Sequence, residues 1–85
     1  MAITSSKVSV TTTAQTIVSV DDVTQYVALH SKGTVYIGNA GVTSTNGYLM
    51  DNGDKLELEI PLGSTLSAVA NAGTHDLYVL IARAD

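Results

Sequence analysis

The sequence predicts an all-β protein, a compact antiparallel β-sandwich or jelly-roll-like barrel of about seven short strands. Three observations predict it. Val, Ile and Thr number 10, 5 and 11, which is 26 of 85 residues. Such β-branched side chains pack well on a pleated sheet and lose χ1 freedom in a helix. Turn signals recur at short spacing: Asp21-Asp22, Ser31-Lys32-Gly33, Asn39-Ala40-Gly41, Thr45-Asn46-Gly47, Asp51-Asn52-Gly53-Asp54, Pro61-Leu62-Gly63 and Asn71-Ala72-Gly73. Between them, apolar residues alternate with a period of two.

The elements follow in order. Residues 7–11 place Val8 and Val10 on one face, and residues 15–20 place Val18 and Val20 together. Residues 24–30 set Tyr26, Ala28 and His30 on one side and Val27 and Leu29 on the other. Residues 34–37 form a short strand in which Val35 and Tyr36 face opposite ways. Residues 55–60 are the clearest: Leu56, Leu58 and Ile60 point inward, while Lys55, Glu57 and Glu59 point to solvent. Residues 65–70 alternate weakly. Residues 76–82 are apolar on both faces, Leu77, Val79 and Ile81 on one and Tyr78, Leu80 and Ala82 on the other. Helix competes with strand at Asp22-Val23-Thr24-Gln25, which resembles a capping box, and over residues 64–73. The β-branched flanks favour strands at both.

A strand apolar on both faces needs cover on both sides. One small sandwich has one core, so Tyr78, Leu80 and Ala82 are expected to meet a loop or another subunit. Composition agrees. Charged residues are 14% of the chain, against about 25% in soluble domains. Either Ser and Thr supply the polar surface, or another subunit covers part of it.

Other classes are excluded by what is missing. The chain has no cysteine, so it offers no disulfide, no Cys-based zinc or iron–sulfur site and no thiol nucleophile. No apolar run reaches the ~20 residues of a membrane helix, and residues 1–6 lack the features of a signal peptide. The net charge is −4, and Lys7, Lys32, Lys55 and Arg83 are scattered. Nucleic-acid binding needs clustered positive charge, so neither nucleic acid nor membrane is an expected partner.

No constellation for catalysis converges. His75-Asp76 is the one adjacent His–carboxylate pair, but no nucleophile elbow surrounds the nearby Ser64, Ser67 or Thr74. His30 has no second His at ligand spacing. Asp51-Asn52-Gly53-Asp54 lacks the frame of a calcium loop and reads as a tight turn. Glu57 and Glu59 share one solvated face rather than flanking a cleft. Tyr36 and Tyr48 flank the polar loop around Val42-Thr43-Ser44-Thr45-Asn46-Gly47 and offer a small platform for a sugar, while Tyr26 and Tyr78 are expected to help fill the core. That loop presents amides and hydroxyls suited to docking on a protein surface. No enzyme activity and no cofactor are expected.

The run Val35-Tyr36-Ile37-Gly38, the turn Gly41-Val42-Thr43, the segment Asn52-Gly53-Asp54-Lys55-Leu56-Glu57-Leu58, then Ala68-Val69-Ala70 and Leu77-Tyr78-Val79-Leu80 resemble small β-sandwich virion proteins of tailed bacteriophages. The N-terminal Val8-Ser9-Val10-Thr11 also fits, so the likeness covers nearly the whole chain. The resemblance implies a capsid decoration (cement) protein that binds the major capsid protein on the outer surface of the head and stabilises the shell. It implies a homotrimer. The subunit interface is then placed at Tyr78, Leu80 and Ala82. Residues 1–6 are read as a flexible N-terminal arm that docks on the capsid through Ala2, Ile3, Thr4, Ser5 and Ser6. The alternatives are a neck, tail or head-fibre component of a virion, or a small carbohydrate-binding module.

Overall fold

The computed structural model describes residues 3–84. Eight strands follow one another: β1 (Ile3–Val10), β2 (Gln15–Val18), β3 (Gln25–Ser31), β4 (Val35–Gly38), β5 (Tyr48–Met50), β6 (Lys55–Ile60), β7 (Leu66–Val69) and β8 (His75–Arg83). They form two antiparallel four-stranded sheets. Sheet A runs β1-β8-β3-β6 and sheet B runs β2-β7-β4-β5. No helix occurs among the described residues.

The pairing has a simple logic. β1 pairs with β8, β2 with β7, β3 with β6 and β4 with β5. This is one long hairpin, turning at the β4–β5 connection and rolled into two layers. Every other connection passes from one sheet to the other. Of the two architectures that the sequence leaves open, the order is therefore that of a jelly roll.

The core lies between the layers. Val10, Val27, Leu29, Leu77 and Val79 from sheet A meet Val18, Val35, Ile37, Met50, Leu66 and Ala68 from sheet B. The sheets are unequal. Strands of sheet A have six to nine residues, and those of sheet B three or four. Leu56, Leu58, Val8 and Ile81 consequently pack at the rim and are only partly buried.

Two readings of the sequence are corrected. First, β5 lies where only a loop was expected. It has three residues, of which Met50 alone is buried. Second, the N-terminal segment is an edge strand rather than an arm. Ile3, Thr4, Ser5 and Ser6 pair with Ala82, Ile81, Leu80 and Val79, because the nine-residue β8 supplies a template long enough for them. Ala2 lies outside the described residues. The strands favoured over helix at the two ambiguous segments both form. Gln25 is buried at the start of β3 and donates its side-chain amide to the Ser19 carbonyl at 3.0 Å, while residues 66–69 form β7.

Turn chemistry closes both ends. Gly53, Gly63 and Gly73 adopt positive φ of 89°, 81° and 72°, which glycine tolerates without a Cβ clash. Asp51-Asn52-Gly53-Asp54 is a turn in which the Asp54 amide donates to the Asp51 carbonyl, while the Asp54 carboxylate accepts from the Asp51 amide at 2.8 Å. At the opposite end Arg83 makes a two-pronged contact with Asp21, at 2.6 and 3.0 Å. Paired guanidinium N–H groups match the two carboxylate oxygens. This contact holds the Asp21 carboxyl at about 2, below its ordinary 3.8; the Arg83 hydrogen bond is the main cause, opposed by partial desolvation.

Candidate functional site

The residues that sequence reasoning singled out for chemistry do not come together. The His75 ring lies over Gly33, where a Cβ would sit 2.2 Å from Nδ1, and its Nε2 is 3.0 Å from the Ala72 carbonyl oxygen. It braces a turn. Among the described residues, no group of three or more His, Asp or Glu is arranged to hold a metal. Tyr36 pairs across the sheet with Leu49, whereas Tyr48 pairs with Ile37. Residues directly opposite share a face, so Tyr36 and Tyr48 face opposite ways and form no common platform. The hydroxyl-rich loop is internally tied. The Thr43 amide donates to Asn46 Oδ1 at 2.8 Å, and the Gly47 amide to the Thr43 carbonyl at 2.9 Å.

What the fold does assemble is a face. On the outside of sheet A the cross-strand registers create three rows. Ile3, Ala82, Tyr26 and Glu59 form the first, Ser5, Leu80, Ala28 and Glu57 the second, and Lys7, Tyr78, His30 and Lys55 the third. Ile3 is 70% exposed, Tyr26 46%, Leu80 46% and Tyr78 43%. Small Ala28 and Ser5 leave hollows on both sides of Leu80. The His30 and Tyr78 rings are tilted by 44° with centroids 6.3 Å apart. Within these rows the charges stand on the outer strands, Lys7 on β1 and Lys55, Glu57 and Glu59 on β6, and the next outward position of β8 beyond the third row is Asp76. The centre is apolar and the border polar, which is the anatomy of a protein interface.

This face contains Tyr78, Leu80 and Ala82, and the structure places all three side by side with Tyr26 and Ile3. Sequence reasoning assigned Tyr26 and Tyr78 to the core. They lie outside it because Val27 and Leu29 on β3, and Leu77 and Val79 on β8, already fill the space between the sheets. The period-two pattern sets each Tyr opposite those core residues, so the signal was available. Ile3 was missed as part of the patch because its segment was read as an arm.

No protein-family model matches this chain, and no curated protein matches it in sequence. It is similar to a chain in the structure of the disulfide-linked pili that form Bacillus endospore appendages. The TM-score is 0.51 at 20% identity, covering 93% of this chain and 85% of that chain. At that identity the likeness shows a shared small all-β fold. It does not carry the phage resemblance further.

Proposed function

We propose that this chain is a structural module of a particle surface, acting by assembly in many copies rather than by catalysis. Its finer form is a bacteriophage capsid decoration protein, bound to the major capsid protein on the outside of the head. The observation that carries the assembly role is the bare apolar patch of sheet A, centred on its inner strands β8 and β3 and joined by Ile3 on β1. Exposed apolar patches rimmed by polar residues mark interaction sites. The virion assignment rests on the sequence resemblance, and the jelly-roll order is one that viral capsid domains also use. A fold analogy of this kind supports a role without assigning it. Many identical copies on a shell stabilise the bound form by mass action, so single contacts need not be tight.

Copy number in purified particles tests this reading. Quantitative mass spectrometry should find the chain at a copy number comparable to the major capsid protein. A few copies per particle would assign it to a neck, tail or fibre instead, and absence from particles would remove the virion role. One observation favours a second reading, a subunit of an extracellular appendage: the fold likeness to the Bacillus pilus chain. That reading predicts filaments of the purified protein in negative-stain electron microscopy. The 85 residues contain no cysteine, so such filaments would persist in reductant.

A further inference from the structure

We propose that the outer face of sheet A pairs with the same face of a second copy about a two-fold axis perpendicular to the strands. This deepens the assembly role and rests on it. The argument begins with symmetry. A closed trimer needs two different complementary patches on each subunit, whereas a two-fold contact needs one patch that fits itself. The described residues present one broad apolar face, on sheet A. A self-matching contact is the arrangement in which that face covers itself.

Charge selects the orientation. The whole chain carries −4, yet the three rows of the face hold two Lys (Lys7, Lys55) and two Glu (Glu57, Glu59), a local balance of zero. Two acidic chains therefore meet where neither is acidic. A two-fold axis parallel to the strands would set Lys7 of one copy against Lys55 of the other. An axis perpendicular to the strands, through the middle row, sets the first row on the third. Lys55 of each copy then faces Glu59 of the other, twice per dimer.

Shape agrees with that orientation. Tyr78 of one copy lies over Ala82 of the other, Tyr26 over His30, and Leu80 meets Leu80 at the axis. Ile3 of one copy lies over Lys7 of the other, where only the aliphatic stem of the lysine can cover it, and the two Glu57 side chains face each other at the β6 rim, with Lys55 two residues away on each strand. The area is modest. Four strands about 4.8 Å apart, each some 20–30 Å long, project roughly 400–550 Å², short of the ~800 Å² per partner of a standard stable complex. The dimer is therefore expected to dissociate in the micromolar range and to be held more firmly in a multi-copy assembly.

Sedimentation equilibrium of the intact chain, from about 1 to 500 μM, tests the proposal. The expected result is a reversible monomer–dimer equilibrium. Lys55→Glu and Glu59→Lys should each weaken it by about tenfold, and the two together should restore it to within about threefold of the original. Glu57→Gln should tighten it, and Leu80→Asp should abolish it. All four positions are solvent-facing, and circular dichroism verifies the fold of each variant. A monomer at 500 μM, a trimer, an equilibrium indifferent to Leu80→Asp, or a double charge swap that fails to restore pairing would each overturn the proposal. Particle binding is scored separately. Particle binding by a chain that stays monomeric sinks the dimer and leaves the surface role, whereas a dimer absent from particles sinks the virion role and leaves the pairing.

Discussion

The outer faces of the two sheets are finished in opposite ways. On sheet B, the chain covers itself. The β4–β5 connection, residues 39–47, is the longest of the seven and folds back over the sheet. Its Val42 is 4% exposed, with Cγ2 only 3.1 Å from where a Gly38 Cβ would stand. Ser67, the β7 partner of Gly38, is buried, and so is the adjacent Val69. Sheet A is larger and receives no such cover, so Tyr26, Tyr78 and Leu80 stand in solvent. Among the described residues, the longest connection serves one outer face. That connection covers the smaller sheet, and the outer face of the larger one stays bare.

The largest expected effect comes from dislodging the cover. A Cβ on Gly47 would stand 2.6 Å from the Tyr36 Cβ and 2.9 Å from the Thr43 carbonyl oxygen. Neither is the free end of a flexible side chain, so neither gives way easily. Gly47→Val should cost about 1–3 kcal/mol by overpacking, measured by urea denaturation below 1 μM protein. It should also make sheet B resemble sheet A, with increased binding of a hydrophobic dye. A variant as stable as the parent would mean that the loop does not seal that face.

A smaller effect concerns the seam rather than the faces. Arg83 at the end of β8 grips Asp21 in the β2–β3 connection, and so ties sheet A to the crossing between the sheets. The Asp21 carboxyl is held at about 2 in the folded chain, below its ordinary 3.8. A depressed carboxylate stabilises the fold above its unfolded value, and that contribution is lost as pH falls through the folded one. Stability should therefore decline between about pH 4 and pH 2, and Asp21→Asn should flatten that part of the profile. An identical acid slope in both proteins would show that other carboxylates carry it.

The alternation Leu56-Leu58-Ile60 against Lys55-Glu57-Glu59 made β6 legible, because one buried face and one wet face leave a period of two. The doubly apolar β8 announced an uncovered face in the same way. β5 was not legible. Three residues cannot show a period, and Tyr48–Met50 is a strand because β4 lies beside it. The start of β1 was hidden for a related reason. Thr4 and Ser6 lie on the inner side of sheet A but beyond the reach of the shorter sheet B, so polar residues occupy positions where the pattern predicts apolar ones. The β7 strand was legible only from its β-branched flanks, since all four of its residues are buried and alternation has nothing to register. In each case the missing information was tertiary: which neighbour lies alongside, and how far the opposite sheet extends.

The smallest effect is the most discriminating. Tyr26 lies on the bare face and packs into no core, so Tyr26→Thr, which keeps a good strand former, should change the stability of dilute protein by less than about 0.5 kcal/mol. The same substitution should act on concentration dependence. If two copies pair through this face, the folded state is stabilised by its own association, and Tm of the parent rises with protein concentration. Removing the ring removes part of that contact, so the Tm of the variant should match the parent at 1 μM and fall below it at several hundred micromolar. Equal Tm values at both ends would mean that the face contributes nothing to association. A variant destabilised equally at every concentration would mean that Tyr26 supports the sheet itself, and the contrast between a sealed and an open side would lose one of its residues.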